Sequence, residues 1–357
     1  MTKPMLLADF TRLPPIMHGL VLDGLSGAID LVAQRAPETH RFLRYQWFAA
    51  ALAAFGGSAR TILVERDGDP VIALPMIRFG PAAARFAVVP GNDRPFRSFP
   101  ADADTDAGAF DALVDRLGDT INALRIGPVV DGDPALWPLL AAARAKGWAT
   151  LGRFVADSHL LDLRATQGAG DWPRPSTVHR NRFYEKRLAD RGVLDWHFLD
   201  GAGLAAGGFA ELAAVPEKGA AGSDGDHAFW QAAAVDPVLA GMLWAALLTV
   251  DGAPVAWALD LHVGAVKYPI ASGHDPAVAR HAPVRLLYYR NLARAAAAGI
   301  GTIDWGIGEG HRRAIDAETG PALREWLLVR PGLPALLGRV LRGLWERPAQ
   351  RDVRGGG

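Results

Sequence analysis

The 357-residue chain is 50% hydrophobic and sets 38 lysines and arginines against 38 aspartates and glutamates. That length suffices for two domains of ordinary size. The balanced charge supplies no global field for nucleic acid or a membrane surface, so any anion site must be a local cluster. With no cysteine, disulfides, zinc–thiolate and iron–sulfur centres and a thiol nucleophile are excluded.

The opening "MTKPMLLADFTRLPPIMHGL" is interrupted by Asp9, Arg12, Pro14 and Pro15, unlike the continuous apolar core of a signal peptide. No apolar run reaches the roughly 18 residues of a membrane span, so a cytoplasmic protein is expected. "RYQWFAAALAAFG" reads as a helix, "ARTILVER" as a strand, Asp67-Gly68 as a hairpin turn and "PVIALPMIRF" as the returning strand. "GPAA" turns into a third strand, "ARFAVVPG", and a loop follows from Gly91 to Asp106. Phe110, Leu113, Leu117 and Ile121 then mark the apolar face of a helix, and "LRIGPVV" is a strand. "ALWPLLAAARAKG" reads as a helix and "SHLLDLR" as a strand, before the loop "ATQGAGDWPRP".

The same order then recurs. "DHAFWQAAAVDPVLAGMLWAAL" precedes a strand, Asp251-Gly252 is the turn, and "PVAWALDLHV" and "AVKYPIASG" are strands. The loop "HDPAVARHAP" leads into the helix "VRLLYYRNLARAAAAG", which Gly299 can end, and "GTIDWGI" closes the unit. Each half therefore reads β-β-β-loop-α-β. The expected class is α/β (α+β mixed sheets), with two similar domains, each a mixed, mostly antiparallel sheet flanked by helices. The expected bounds are residues 1–150 and 151–345, followed by a polar, glycine-rich tail, 346–357, without fixed structure.

This order resembles the GNAT acyltransferase fold in tandem. More narrowly, it resembles the CelD/BcsL-like acetyltransferase family of cellulose and exopolysaccharide synthesis, related to the FemAB-type transferases. The stretches that carry the likeness are "GNDRPFRSFP", "LAAARAKGW", "VHRNRFYEKRLADRG", "GAPVAWALDLHVGAVKYPIASGHDPAVARHAP" and "GIGTIDWGIGEGHRR". The resemblance implies transfer of an acyl group, most simply acetyl from acetyl-CoA, to an amine or hydroxyl of a small molecule or saccharide precursor. It also implies an active site in the second half. Two alternatives stand beside it: aminoacyl transfer of the FemAB kind, and a non-catalytic accessory role in polysaccharide assembly. Neutral net charge argues against a nucleic-acid partner.

An acyl-CoA donor brings phosphates that suit a helix N-terminus and nearby cations. Arg280, His281, Val284, Arg285 and Leu286 surround the expected start of the second crossover helix. Val284 stands where the family has glycine after the proline, and a β-branched residue there resists positive φ and close approach. The basic run from Val178 to Arg191 places Arg180, Arg187 and Arg191 on one helical face. With Arg182, Lys186, Lys267 and His274, it is the candidate grip on an anionic acceptor, against the plainer reading of a solvated helix face.

Catalysis points to Asp304, Glu309 and His311. Asp304 sits on a buried strand, where a carboxylate needs a partner; tying turn amides is its structural alternative. Glu309 or a neutral His311 in the glycine-rich turn could act as base. A Tyr-Lys pair common after this turn in the family is replaced by Arg312-Arg313. "GIGEG" lacks dinucleotide-fingerprint spacing, and no histidine pair has zinc-ligand spacing. The amphipathic "LPALLGRVLRGLWERP" offers peripheral membrane contact or, more simply, docking on its own domain.

Overall fold

The computed structural model describes residues 16–81, 84–92, 97–168, 174–216, 224–306 and 317–332, with Gly343 and Trp345. The chain runs β1 (Met17–Asp23), α1 (Ala28–Arg35), α2 (Tyr45–Phe55), β2 (Ala59–Arg66), β3 (Asp69–Phe79), β4 (Phe86–Val88), α3 (Ala107–Thr120) and β5 (Ala123–Val130). It continues through α4 (Leu136–Ala145), β6 (Ala149–Asp162), α5 (Leu163–Gly168) and α6 (Pro175–Ala189). The second half follows as β7 (Leu194–Leu199), α7 (Gly201–Gly203), α8 (Phe209–Ala213), α9 (Asp224–Ala233) and α10 (Pro237–Met242). Then come β8 (Leu243–Val250), β9 (Ala253–Val263), β10 (Val266–His274), α11 (Pro283–Ala297), β11 (Thr302–Asp304) and β12 (Glu318–Val329).

The repeated Asp-Gly turns do the same work twice. Asp67 and Gly68 have φ of 52° and 89°, and Asp251 and Gly252 have 48° and 77°, the left-handed pair that a two-residue hairpin turn requires. Each aspartate also clamps the chain entering the edge strand. Asp67 Oδ1 accepts from Ile16 N at 3.0 Å, and Asp251 Oδ1 from Val193 N at 2.8 Å. Each hairpin slips register two residues beyond its turn, with Val64 opposite Ile72 but Glu65 opposite Pro70, and Leu248 opposite Ala256 but Thr249 opposite Pro254. The sequence repeat therefore encodes a turn, a clamp and a bulge in both halves.

One expectation changes. The two sheets are one, in the order β1-β2-β3-β4-β5-β12-β6-β11-β10-β9-β8-β7. The halves meet by exchange: β12, from the end of the second half, pairs with β5, while β6 pairs with β11, and β6 and β12 join at the centre. The central strands thereby gain hydrogen-bonding neighbours on both sides, so neither half exposes an open inner edge.

The halves also meet through helices. Trp47 of α2 packs edge-on against Phe229 and Trp230 of α9, at 4.8 and 5.6 Å between ring centroids. Around this aromatic contact, Arg44 Nε donates to Asp236 Oδ2 at 3.0 Å and Gln46 Nε2 to Ala232 O at 2.9 Å. Among the described residues, no helix is long and apolar enough to cross a membrane.

Candidate active site

The distinctive feature of the second half is a fork in its sheet. β10 and β11 are parallel, yet they pair only through Val266–Thr302 and Lys267–Ile303. β10 runs on to His274, with a register slip between Pro269 and Ala271. Tyr268 and Asp304 therefore stand where the strands part. Alternation divides their neighbours between the two faces: Ile303 packs with Leu292 and Ala295 of α11, whereas Tyr268 packs on the main core. Lys267 thus faces α11, and Tyr268 and Asp304 face the opposite side.

Asp304 is 6% exposed, and its Oδ1 accepts from Gly306 N at 2.8 Å. Burial pushes its carboxyl up to about 6 against the pull of that amide. Burial, and secondarily the nearby Asp304 charge, pushes the Tyr268 phenol up as well. A carboxylate in this state is largely ionised at neutral pH and still basic enough to accept a proton.

On the opposite face Lys267 is committed elsewhere. Its Nζ lies 2.7 Å from Asp260 Oδ2, both side chains 2% exposed, and Asn291 Nδ2 donates to the same oxygen at 3.2 Å. Burial raises the Asp260 pKa against the attraction of Lys267. His262, beside them, lies against Trp244 with ring centroids 3.8 Å apart. Burial and then the Lys267 and Arg294 charges lower its pKa to about 3, so it is neutral. This polar layer ties β9, β10 and α11 together directly behind the fork.

The helix that follows the fork starts without a side-chain cap. Asp275 Oδ1 accepts from Ala277 N at 2.8 Å and opens a 3-10 turn, Pro276–His281. Ala282 then takes the left-handed conformation, φ 48°, and Pro283 begins α11. This corrects the expectation for Val284: positive φ falls on Ala282, while Val284 is helical and packs against a cluster containing Leu188, Val278 and Leu286. Arg285 Nε donates to Asn181 Oδ1 of α6 at 2.9 Å, so α6 is laid across the first turn of α11. Between α6 and the 3-10 turn lies a cavity of about 330 Å³, lined by Arg187, Arg191, Arg280 and His281 among others.

In sequence, residues 176–312 match the acetyltransferase (GNAT) domain family. The chain carries a GNAT acyltransferase domain. Its fold extends the likeness over nearly the whole chain. The crystal structure of FemX is 14% identical, covers 92% of this chain and 99% of its own, and has a TM-score of 0.57. A protein of unknown function from Bacteroides thetaiotaomicron is 10% identical, with coverages of 87% and 99% and a TM-score of 0.52. The C-terminal domain of a putative lysylphosphatidylglycerol synthetase from Agrobacterium fabrum is 12% identical, with coverages of 89% and 94% and a TM-score of 0.49. At these identities the likeness is one of fold. No curated protein matches the chain significantly in sequence.

Within the GNAT domain, the residues singled out from sequence fall into separate places. Asp304 stands at the fork, and Arg280, His281, Val284, Arg285 and Leu286 surround the start of α11, with Leu286 buried. Of the basic helix, Arg187 joins Arg280 and His281 in the cavity. Arg180, Arg182 and Lys186 stay exposed on α6, with Lys186 beside a second, open depression that also contains Trp196 and Asp251. His274 ends β10, half-buried. Glu309, His311, Arg312 and Arg313 lie outside the described residues, as do the tail 346–357 and most of the amphipathic segment before it. Tyr268 and Asn181 were not among the candidate residues. Their signals were the alternation after Lys267 and the position of Asn181 one helical turn before Glu185, which itself pairs with Arg290 of α11. No group of three or more potential metal ligands occurs among the described residues.

Proposed function

We propose that this GNAT domain transfers an acyl group, most simply acetyl, from acyl-CoA to an amine or hydroxyl of a small molecule or saccharide precursor. The observation that carries this reading is the parting of β10 and β11 at Tyr268 and Asp304, beside a long helix whose start has no side-chain cap. A thioester laid into the fork would present its carbonyl between the strands. The amides at the start of α11, with Arg280 nearby, would meet the donor's diphosphate. Asp304 is the proposed base: it takes the proton from the acceptor as the nitrogen or oxygen attacks the carbonyl carbon. The tetrahedral intermediate then expels the thiolate, which is protonated on release.

Calorimetry with CoA and acetyl-CoA, combined with a thiol-release assay over a panel of amines and sugars, tests this. Donor binding with acceptor-dependent thiol release is expected. Absence of binding at millimolar CoA would remove the reading.

Aminoacyl transfer is the second reading, favoured by the likeness to FemX along 92% of the chain and by the exposed basic side of α6. It predicts salt-sensitive binding of charged tRNA, because phosphate contacts release counterions. A role in exopolysaccharide synthesis follows from the CelD/BcsL-like resemblance alone. Loss of an acyl mass from the cell's polymer on deleting the protein would support it.

A further inference from the structure

The cavity of about 330 Å³ between α6 and the 3-10 turn lies within the size range of small-molecule sites. Its charge is one-sided. Arg187 enters from α6, Arg191 from the turn that follows it and Arg280 from a segment far downstream, while Asp190 is the single carboxylate lining it. Among the described residues, none of the three guanidiniums is in a salt bridge. Arg191 uses one terminal nitrogen on Ala277 O, at 3.1 Å. Arg280 donates its Nε to His281 Nε2, at 3.2 Å. Each therefore retains further donors, since a guanidinium carries five N–H groups.

We propose that this cavity is a binding site for a phosphomonoester dianion. Three cations against one carboxylate leave a formal excess of two charges, which matches that group. Guanidinium forks pair with phosphate oxygens two at a time. Phe183 and Tyr184 line the same cavity and give the ester's organic part an apolar wall. His281, 5% exposed, holds Arg280 in place. It accepts that bond only when neutral, and burial together with Arg280, Arg191 and Arg187 lowers its pKa.

A solvated basic helix would not gather its cations this way. Arg187, Arg191 and Arg280 are exposed, as Arg180 and Arg182 are, but the first three line one cavity, converging on it from α6, the turn that follows it and the 3-10 turn. The ester has two possible sources, the 3′-phosphate of the acyl-CoA donor or a separate phosphorylated molecule; only the first rests on the function proposed above.

Calorimetric titration of the full chain with CoA, dephospho-CoA and inorganic phosphate tests the site. The same titrations on Arg187→Gln/Arg280→Gln, with thermal melting to establish folding, give the dependence on charge. Asp190→Asn serves as a variant of opposite sign. CoA is expected to bind roughly tenfold more tightly than dephospho-CoA, about 1.4 kcal/mol. The double variant should abolish that advantage and Asp190→Asn should increase it. Equal binding of the two nucleotides, with phosphate binding lost in the double variant and strengthened in Asp190→Asn, assigns the site to another phosphorylated molecule. If CoA fails to bind while phosphate still responds to the variants, the donor reading falls and the site stands. If neither the CoA advantage nor phosphate binding responds to these substitutions, the proposal is overturned.

Discussion

The two halves use one grammar, and the difference between them lies at three points. When the first parallel pair of each half is aligned, Phe86–Ala123 with Val266–Thr302, Ala87 corresponds to Lys267, Val88 to Tyr268 and Arg125 to Asp304. In the first half the strands stay zipped. Val88 pairs with Arg125, and Val89 N donates to Arg125 O at 3.1 Å. In the second half the ladder stops one pair earlier, at Lys267–Ile303.

The helix starts differ in the same sense. Asp106 caps α3, accepting from Ala109 N at 3.1 Å, while α11 has no side-chain cap. Arg125, the counterpart of Asp304, is bound to Glu325, which also takes Arg153. Behind the first half's β4 loop, His40, Ser98 and Asp133 form a buried knot, with His40 Nε2 3.0 Å from Asp133 Oδ2 and Ser98 Oγ donating to Asp133 Oδ1 at 3.1 Å. A hairpin and crossover helix thus make a scaffold. They make a candidate site only where the strands part and the crossover helix begins without a side-chain cap.

The sharpest way to break this comparison is to substitute the two corresponding residues. Asp304→Asn is expected to lower turnover by roughly 10²–10⁴-fold, the usual worth of a general base. Arg125→Gln should leave turnover per folded molecule within about threefold, judged against the folded fraction from circular dichroism. Equal losses would place the chemistry in both halves or in neither.

Next in size is the buried pair behind the fork. Lys267→Met leaves Asp260 uncompensated and is expected to destabilise the chain by about 3 kcal/mol in urea denaturation. The first half has Ala87 at the Lys267 position and, by the strand register, Met76 at the Asp260 position. Copying it with Lys267→Ala/Asp260→Met should recover more than half of that loss.

Asp304 also sets a pH dependence with a definite sign. Its folded pKa is raised from 3.8 to about 6. The stability it contributes as a protonated acid is therefore full below 3.8 and lost as pH rises through about 6. At pH 7.5, Asp304→Asn is expected to be more stable than the parent by on the order of 2 kcal/mol, a gain that shrinks at pH 4. Activity should instead rise with pH through about 6. The smallest effect concerns what the halves share: Asp67→Ala and Asp251→Ala each remove one clamp and should each cost about 1 kcal/mol, to similar extents.

The repeat was legible because Asp-Gly turns and apolar alternation are local signals. Both hairpins, both crossover helices and the basic helix stand where the pattern puts them. The exchange of β6 and β12 was not legible. β12 carries Gly320 and Pro321 and charged Arg324 and Glu325 within its span, so its local pattern is not that of a strand. Its place is set by pairing with β5 and β6, far away in sequence. The edge strands β1 and β7 were missed for a related reason, since their solvent-facing residues dilute the apolar signal.

At the site, Asp304 was visible as a carboxylate in an apolar strand. The commitment of Lys267 to Asp260 was not, because it depends on which face of β10 meets α11. Arg187 and Arg280 were each conspicuous, but only the laying of α6 across α11 brings them into one cavity.

Hydrogen–deuterium exchange with and without CoA tests most directly whether the second half alone holds the donor. Protection is expected in residues 268–274 and 282–287, with no change in the corresponding stretches 88–92 and 106–110. Protection of the first half's fork, or of both halves equally, would contradict the division of labour between them.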